Sequence, residues 1–522
     1  MTLFSIKQAS EWASEHYKKT ITTSNISYLV QYGRIKKIGN NSETKVIKED
    51  LIKYYKSKTI EQNWKKQLGD DLNWELSFDQ FRESETTKHV HRLHPYKGKF
   101  IPQLVKYFLD DHTDKFKKEV FFKKGDTILD PFCGSGTLLV QANELGMNAI
   151  GIDVSEFNKL ISNVKVQKHE IYKISNEINK IDDSLSNFIE NSKHINFEKE
   201  LIDELNKFNS TNFPSPSFRY NVRNKEINEW EFGLTKEKEF EETFNKLVNK
   251  YKLTLRKNNP VNFMDKWYLL PILSEIDLVH KHIEKVKDKD TREVLEIILS
   301  RTIRSCRATT HSDLATLKKP INSTYYCHKH YKICKPLFSI QSWWKRYSKD
   351  TIKRLNEFDY LRTNSYQICL TGDSRIINLI DALKKNNSIF SKQIETKKIN
   401  GIFSSPPYVG LIDYHEQHAY AYELFGYDRK DKLEIGPLFK GKGKEAKESY
   451  VKGISEVLVN CKKYLVDDYD VFLVANDKFG LYEKIAVNAG MEIINQYKRP
   501  VLNRTEKNKT AYSEIIFHMK EK

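Results

Sequence analysis

The stretch DTILDPFCGSGTLLVQANELGMNAIGID, residues 126–153, decides the fold of this chain. Its first residues, Asp126–Leu129, have the length and flanks of a short buried strand, and the glycine loop that follows leads into a helix over Leu138–Leu145. A second strand is predicted at Asn148–Asp153. A strand, a loop, a helix and a strand in this order predict the start of a parallel α/β sheet.

The strand pattern resumes only after a long interval. Residues 161–365 are rich in Lys, Asn and Glu and are mostly helical in pattern. Three further strands and a closing hairpin are then predicted at Gln367–Leu370, Ile399–Phe403, Asp470–Val474, Glu492–Arg499 and Ser513–Met519. The sequence therefore predicts a discontinuous α/β core with a large, mainly helical insertion.

Five segments are expected along the chain. They are a small N-terminal unit (1–60), a helical linker (61–90), the first part of the core (91–160), the insertion (161–365) and the second part of the core (366–522). In the N-terminal unit, helical spacing of Ile26, Leu29 and Val30 follows a cap-rich turn. The unit resembles the winged helix-turn-helix of excisionase-like DNA-binding domains, with Gly33–Gly39 as the wing, although a packing module without DNA contact fits the same pattern.

Composition limits the partners that the chain can have. The 522 residues carry a net charge of +17, which favours a polyanionic partner, although a Lys-rich and Asn-rich chain can also reflect an A/T-rich genome. Six scattered cysteines are typical of a reducing cytoplasm, and no apolar run approaches the roughly 18 residues of a membrane helix. The first 20 residues lack the apolar core of a signal peptide. These features predict a cytoplasmic, nucleic-acid-binding protein.

The glycine loop has the properties of a nucleotide-cofactor site. In Asp130-x-Phe132-x-Gly134-x-Gly136 the glycines allow close backbone approach, and the helix that follows offers free amides. Asp153 ends the next strand, where a carboxylate can bind ribose hydroxyls. The loop resembles motif I of Rossmann-like class I methyltransferases. That resemblance implies S-adenosylmethionine, with Phe132, Gly134 and Gly136 beside the cofactor and Asp153 on its ribose.

Two other motifs add cofactor residues. The stretch His94–Pro102 resembles the HPYPAKF stretch of amino-methylating DNA methyltransferases, which implies that Lys99 and Phe100 help to hold the methionine end of the cofactor. This chain departs from that pattern at Lys97 and Gly98. Asp373 follows a predicted strand and is placed to meet the adenine, although a turn aspartate explains it equally simply.

A second short string, Ser404-Ser405-Pro406-Pro407-Tyr408, carries the predicted chemistry. An exocyclic amine is a poor nucleophile, and acceptors such as the Ser405 hydroxyl and the Pro406 carbonyl can draw its nitrogen toward sp3 geometry. The prolines stiffen the loop, and Tyr408 offers a stacking face for an extruded base. No cysteine follows the two prolines, which argues against methylation of a ring carbon. Ser404 at the head of the string is expected beside the cofactor.

This string resembles motif IV of DNA amino-methyltransferases. In that family a Ser directly before Pro-Pro-Tyr, here Ser405, is commoner among cytosine-N4 enzymes, and an Asp or Asn there is commoner among adenine-N6 enzymes; Gly410–Tyr414 also resembles the cytosine group. The resemblance implies methylation of cytosine N4 in duplex DNA by base flipping, in a prokaryotic restriction-modification system whose endonuclease shares the target. Adenine-N6 methylation, RNA guanine-N2 methylation and a non-catalytic DNA-binding regulator remain alternatives.

Target choice is expected in the insertion, where residues 301–348 combine basic and aromatic side chains. DNA contacts are predicted for Arg301, Arg304, Arg307, Lys318, Lys319, Lys345 and Arg346, and for Arg504 in the closing hairpin. A solvated basic face over an aromatic core is the alternative. Cys306, Cys327, His328, His330 and Cys334 also lie here. Because Cys327-x6-Cys334 is not a Cys-x2-Cys knuckle, scattered buried thiols are expected and no metal site is predicted, with zinc binding as the alternative.

Overall fold

The computed structural model describes residues 2–17, 20–39, 44–56, 72–73, 75–78, 80–313, 317–501 and 512–522. The chain forms two compact units, each built from three separate segments. The first unit comprises Met1–Lys66, Ser184–Asp277 and Ser305–Ile340, and the second comprises Gln67–Asp183, Leu278–Arg304 and Gln341–Lys522. The division into five segments stays a prediction. No helix in these ranges is both long and apolar enough to span a membrane.

The strands and helices of the described residues are as follows. The strands, numbered in chain order, are β1 (Leu3–Ser5), β2 (Lys45–Ile47), β3 (Thr127–Asp130), β4 (Asn148–Asp153), β5 (Tyr325–Cys327), β6 (Lys332–Cys334), β7 (Gln367–Thr371), β8 (Ile399–Ser404), β9 (Leu465–Ala475), β10 (Met491–Pro500) and β11 (Ser513–Glu521). The α-helices are Ile6–His16, Thr23–Gln31, Lys48–Lys56, Glu83–Thr86, Pro102–Leu109, Thr137–Glu144, Glu156–Val166, Ile171–Glu190, His194–Asn212, Ser217–Arg223, Glu229–Lys250, Phe263–Trp267, Leu270–Glu284, Lys289–Ser305, Gln341–Asp359, Leu379–Lys384, Ser388–Lys397, Tyr414–Gln417, Ala419–Phe425, Lys444–Lys462 and Tyr482–Asn488.

The second unit is built on a seven-stranded sheet in the order β10-β11-β9-β8-β3-β4-β7. The five strands from β9 to β7 run parallel, and β11 and β10 complete the sheet as an antiparallel hairpin. Every strand predicted from the core pattern is present, with its ends shifted by at most a few residues. This central, mainly parallel sheet fits the expected Rossmann-like methyltransferase fold.

The centre of the sheet is buried on both faces, which explains its continuous apolar pattern. Ile128 and Leu129 of β3 are fully buried, and Leu129 pairs with Ile150 on one side and Ile402 on the other. Position 401 of β8 has room only for glycine, because a Cβ there would lie 2.2 Å from the carbonyl oxygen of Asp470. Strands from both parts of the core therefore pair at the middle of one sheet.

The first unit is mainly helical and contains two small antiparallel hairpins. Its N-terminal helices pack around buried Ala9, Ile26, Leu29 and Leu51, and β1 pairs with β2. Ile38 bridges Lys45, while residues 40–43 lie outside the described ranges, so the DNA-binding wing stays a prediction. The second hairpin, β5–β6, is an addition to the helical pattern predicted for the insertion.

Candidate functional site

The predicted site residues meet at the carboxyl edge of the central sheet. Asp130, Asp153 and Ser404 are the last residues of β3, β4 and β8, and a cavity lies at this edge. Nine of the predicted cofactor and catalytic residues line it, namely Lys99, Phe100, Asp130, Phe132, Gly134, Asp153, Asp373, Ser405 and Pro407. The fold therefore brings four separate sequence motifs to one cavity.

The two glycines of the loop have different roles. Gly134 lines the cavity at a φ of +50°, and a Cβ there would lie 2.9 Å from the Tyr96 hydroxyl oxygen. Gly136 does not line the cavity. It precedes the helix Thr137–Glu144 at a φ of +71°, and a Cβ there would lie 2.9 Å from Ser162. Gly136 therefore allows the loop and the helix Glu156–Val166 to pack closely, and its expected place beside a cofactor stays a prediction.

Asp153 is fixed by three hydrogen bonds. Its Oδ2 accepts the backbone N–H of Gly134 at 2.8 Å, and its Oδ1 accepts from the backbone N–H of Ser155 and the side chain of Asn158. Burial raises the pKa of this carboxyl to about 6, although the hydrogen bonds act in the opposite direction. At neutral pH an oriented carboxylate therefore faces the cavity, as ribose binding requires.

Asp130 connects the glycine loop to the second motif. Its Oδ1 accepts the Ser404 hydroxyl at 2.5 Å and the backbone N–H of Phe132 at 3.1 Å. Ser404 is fully buried and is not among the residues that line the cavity, so its visible partner is Asp130, and its expected place beside a cofactor stays a prediction. Burial raises the pKa of Asp130 to about 7.

We expect Asp130→Asn to stabilise the cofactor-free protein in a pH-dependent way. The folded state keeps the Asp130 proton up to about pH 7, whereas the unfolded chain loses it near the ordinary value of 3.8. The contribution of Asp130 to the free energy of unfolding therefore falls as the pH rises through this window. Asparagine keeps the Oδ1 acceptor without the buried charge, so the variant should gain about 1–3 kcal/mol above pH 7.

Urea unfolding of both proteins at about pH 4 and about pH 8 tests this expectation. The variant should be more stable than the parent at the higher pH and nearly equal at the lower one. A stability difference that is the same at both pH values would contradict the assignment of a buried, titrating Asp130.

Lys99 and Asp373 line the cavity at separate points. The Lys99 ammonium donates to the carbonyl oxygen of His91 at 2.6 Å, and burial lowers its pKa to about 8. Burial raises the pKa of Asp373, but hydrogen bonds from Arg375 outweigh that effect and lower it below its usual range. Lys99 therefore supplies a positive charge at neutral pH, and Asp373 supplies a carboxylate that Arg375 already orients.

The structure adds cavity residues that the sequence analysis did not assign. Tyr96 and Tyr414 line the cavity with their rings stacked, their centroids 5.8 Å apart, and Asn158 and Glu434 complete part of the wall. Glu434 accepts the backbone N–H of His415 at 2.9 Å. Tyr96 and Tyr414 stood inside the two motifs already recognised, and their aromatic rings were the signal that could have identified them.

Ser405 presents acceptor capacity to the cavity. Its hydroxyl donates to the carbonyl oxygen of Val474 at 3.2 Å, which fixes the proton on the neighbouring strand β9. A hydroxyl oxygen also carries two acceptor lone pairs. Because Ser405 lines the cavity and its proton is already used, its oxygen can accept a hydrogen bond from a ligand amine.

Tyr408 belongs to a second cavity, whose wall also includes Asn476, Tyr482 and Tyr512. The Tyr408 hydroxyl donates to Glu514 at 2.9 Å. Burial and the nearby Glu514 carboxylate raise its pKa well above the ordinary tyrosine value, so the phenol stays neutral. The loop 404–408 therefore contributes Ser405 and Pro407 to the cavity at the sheet edge and Tyr408 to an aromatic cavity. Pro406 is buried and lines neither of them.

The predicted DNA-contacting residues differ in exposure. Arg301 is buried, with its guanidinium bonded to Asp350 at 2.6 Å and to Thr351 at 3.0 Å, so it stabilises packing rather than meeting phosphate. Arg307 is also buried, and Arg304 is half-buried. The exposed members of the set are Lys318, Lys319, Lys345 and Arg346, and Arg504 lies outside the described residues. Burial therefore argues against the DNA contacts expected of Arg301 and Arg307, and the contacts expected of the other residues stay predictions.

Comparison with known proteins identifies relatives along the whole chain. A family model described as DNA methylase matches residues 7–164, and one described as RMKL-like, methyltransferase domain, matches residues 121–216. The type II methyltransferase M.MjaII of Methanocaldococcus jannaschii is 44% identical over 99% of this chain and 97% of its own length. The type II methyltransferase M.MvaI of Kocuria varians is 32% identical over 23% of this chain and 25% of its own length. The solved structure of the rRNA methyltransferase aviRa of Streptomyces viridochromogenes aligns with 85% of this chain and 94% of its own chain, at 8% sequence identity and a TM-score of 0.28.

Proposed function

This chain belongs to the family of type II DNA methyltransferases, and from this premise we propose that it methylates N4 of cytosine within a specific sequence of duplex DNA. We infer that the methylated group is an amine from the Ser405 hydroxyl, which lines the cavity and donates its proton to the Val474 carbonyl oxygen. The residue directly after Pro407 is Tyr408, so the motif offers no cysteine to attack a ring carbon. Ser405, directly before the two prolines, favours cytosine over adenine.

S-adenosylmethionine is the methyl donor of this family, and it supplies an electrophilic methyl group on a positively charged sulfur. Residues of the glycine loop and Asp153 are proposed to hold its nucleoside part, with Asp373 at the adenine and Lys99 near the methionine carboxylate. Once bound, the donor would give this methyl group to the cytosine nitrogen with cleavage of its carbon–sulfur bond, and the nitrogen would release a proton to solvent. Ser405 accepts a hydrogen bond from the amine and so localises its lone pair.

The target base is proposed to enter the aromatic cavity. An amine stacked inside duplex DNA cannot reach a cofactor, so the nucleotide must be extruded. Tyr408, Tyr482 and Tyr512 provide aromatic surfaces there, and the bond to Glu514 fixes the Tyr408 ring. Lys318, Lys319, Lys345 and Arg346 are exposed and are proposed to contact phosphates. A restriction endonuclease with the same target sequence is the expected functional partner.

Product analysis tests this proposal against its alternatives. The purified protein is incubated with isotope-labelled S-adenosylmethionine and either duplex DNA or tRNA, and the acceptors are digested to nucleosides for mass spectrometry. We expect labelled N4-methylcytosine from DNA alone. Labelled N6-methyladenine would overturn the choice of base, and label in tRNA guanine but not in DNA would overturn the choice of acceptor. DNA binding without any transfer would favour the regulator.

A further inference from the structure

Two cysteines and two histidines of the first unit converge in the β5–β6 hairpin region, outside the cofactor and base cavities. One potential ligand atom from each of His311, Cys327, His330 and Cys334 lies within 4.8 Å of every other. We propose that these four side chains bind a structural zinc ion. The sequence analysis predicted no metal here, because Cys327 and Cys334 lack the spacing of a Cys-x2-Cys knuckle and His311 was not considered.

The distances between the four side chains fit tetrahedral zinc. The Cys327 Sγ lies 3.5 Å from the His330 Nδ1 and 3.7 Å from the His311 Nδ1, and the Cys334 Sγ lies 3.5 Å from the His330 Nδ1. Zn–S bonds of about 2.3 Å and Zn–N bonds of about 2.0 Å at tetrahedral angles place sulfur and nitrogen ligands about 3.5 Å apart. The side chains therefore need little movement to surround an ion.

Local backbone structure explains how the ligands are brought together. Cys327 ends β5 and Cys334 ends β6, and the turn between them places His330 so that its backbone N–H donates to the Cys327 carbonyl oxygen at 3.0 Å. The three ligands in the hairpin therefore have the spacing Cys-x2-His-x3-Cys, and His311, which precedes the hairpin, is the fourth ligand. Two cysteine and two histidine ligands are a common structural zinc set.

The surroundings of the site favour a structural role. Each strand of the hairpin has only three residues, and its own buried cluster contains Tyr325, Cys327 and Cys334. Short two-stranded hairpins need further support, which a metal can supply. Four protein ligands would also fill a tetrahedral site and leave no position for substrate.

One existing contact must change when the metal binds. The Tyr325 hydroxyl is hydrogen-bonded to the His311 Nδ1 at 2.7 Å, and its oxygen accepts the His311 backbone N–H at 3.3 Å. Coordination through that nitrogen would displace the first bond and leave the second one intact. The change requires only rotation of a hydroxyl group, so the Tyr325 ring can stay in place.

Metal analysis of the tag-free, full-length protein tests the proposal. We expect about one zinc per chain by elemental analysis after growth in zinc-supplemented medium. The variants Cys327→Ser and Cys334→Ser should each lose most of this zinc. The matched control is Cys306→Ser, since Cys306 is a buried free thiol of the same unit and stands outside the cluster. Its zinc content should equal that of the parent.

A second measurement uses only the unmodified protein, so its result does not depend on whether the cysteine variants fold. After removal of bound metal with a chelator, cobalt(II) should give the intense visible bands and thiolate charge-transfer absorption of a tetrahedral cysteine-containing site, and zinc should abolish them. Absence of both bound zinc and these bands in the parent protein would overturn the proposal. Retention of full zinc content in both cysteine variants would overturn it as well.

Discussion

Ser405→Ala should lower the rate of methyl transfer about 10²–10³-fold, an effect comparable to the loss of one preorganised group that stabilises a transition state. The Ser405 oxygen is the acceptor that the site offers to the target amine, and its proton is already bound to Val474. Alanine removes this acceptor but leaves the glycine loop and Asp153 unchanged. Single-turnover transfer to duplex DNA measures the rate, and titration with S-adenosylhomocysteine measures cofactor binding.

A matched serine provides the control for this variant. The Ser391 hydroxyl also donates to a backbone carbonyl, that of Ile380 at 3.0 Å, and Ser391 does not line the cofactor cavity. Ser391→Ala should therefore transfer methyl groups at nearly the parent rate. If Ser405→Ala lost cofactor binding and transfer together, the assignment of Ser405 to the target amine would be wrong.

Asp153→Asn should weaken cofactor binding about 10- to 150-fold, because a hydrogen bond to a charged group contributes about 1.5–3 kcal/mol. The carboxylate is held at the carboxyl end of β4 by Gly134, Ser155 and Asn158. Asparagine keeps the size of the side chain but can accept from only one oxygen. Calorimetric titration with S-adenosylhomocysteine measures the change.

The pH dependence of binding gives this prediction a second readout. Since burial raises the pKa of Asp153 to about 6, the parent protein should lose cofactor affinity as the pH falls through about 6. The Asp153→Asn variant should lack this loss. Asp126→Asn is the control, because Asp126 precedes the amino end of β3, at the opposite edge of the sheet. Equal affinity in the parent and Asp153→Asn would contradict the ribose-binding role.

Local patterns identified the core of the fold because strand and helix signals there depend on nearby residues. The strands at 127–130, 148–153 and 399–404 were found from short apolar runs, and Asp130, Asp153 and Ser405 were found because they end or follow such runs. The order of the strands in the sheet was not predicted. It arises from pairing between segments more than 200 residues apart, which no local pattern contains.

Long-range packing determines whether a side chain is buried and which residue it contacts, and the sequence patterns did not contain this information. Arg301 was predicted to contact DNA from its place in a basic segment, but it is buried because Asp350 in a different helix binds its guanidinium. Ser404 seemed suited to a cofactor, yet its hydroxyl reaches Asp130, a residue 274 positions away. His311 was not considered as a ligand, because it is 16 residues from Cys327 and only the fold brings the two side chains together.

Methylation-aware sequencing of a host that expresses the gene tests the central claim most directly. We predict N4-methylcytosine at nearly every copy of one short sequence in cells with the parent protein and at almost none in cells with Ser405→Ala. N6-methyladenine at one sequence would contradict the assignment of the target base. Unmodified DNA in cells that contain the folded, cofactor-binding protein would contradict the assignment of DNA as the substrate.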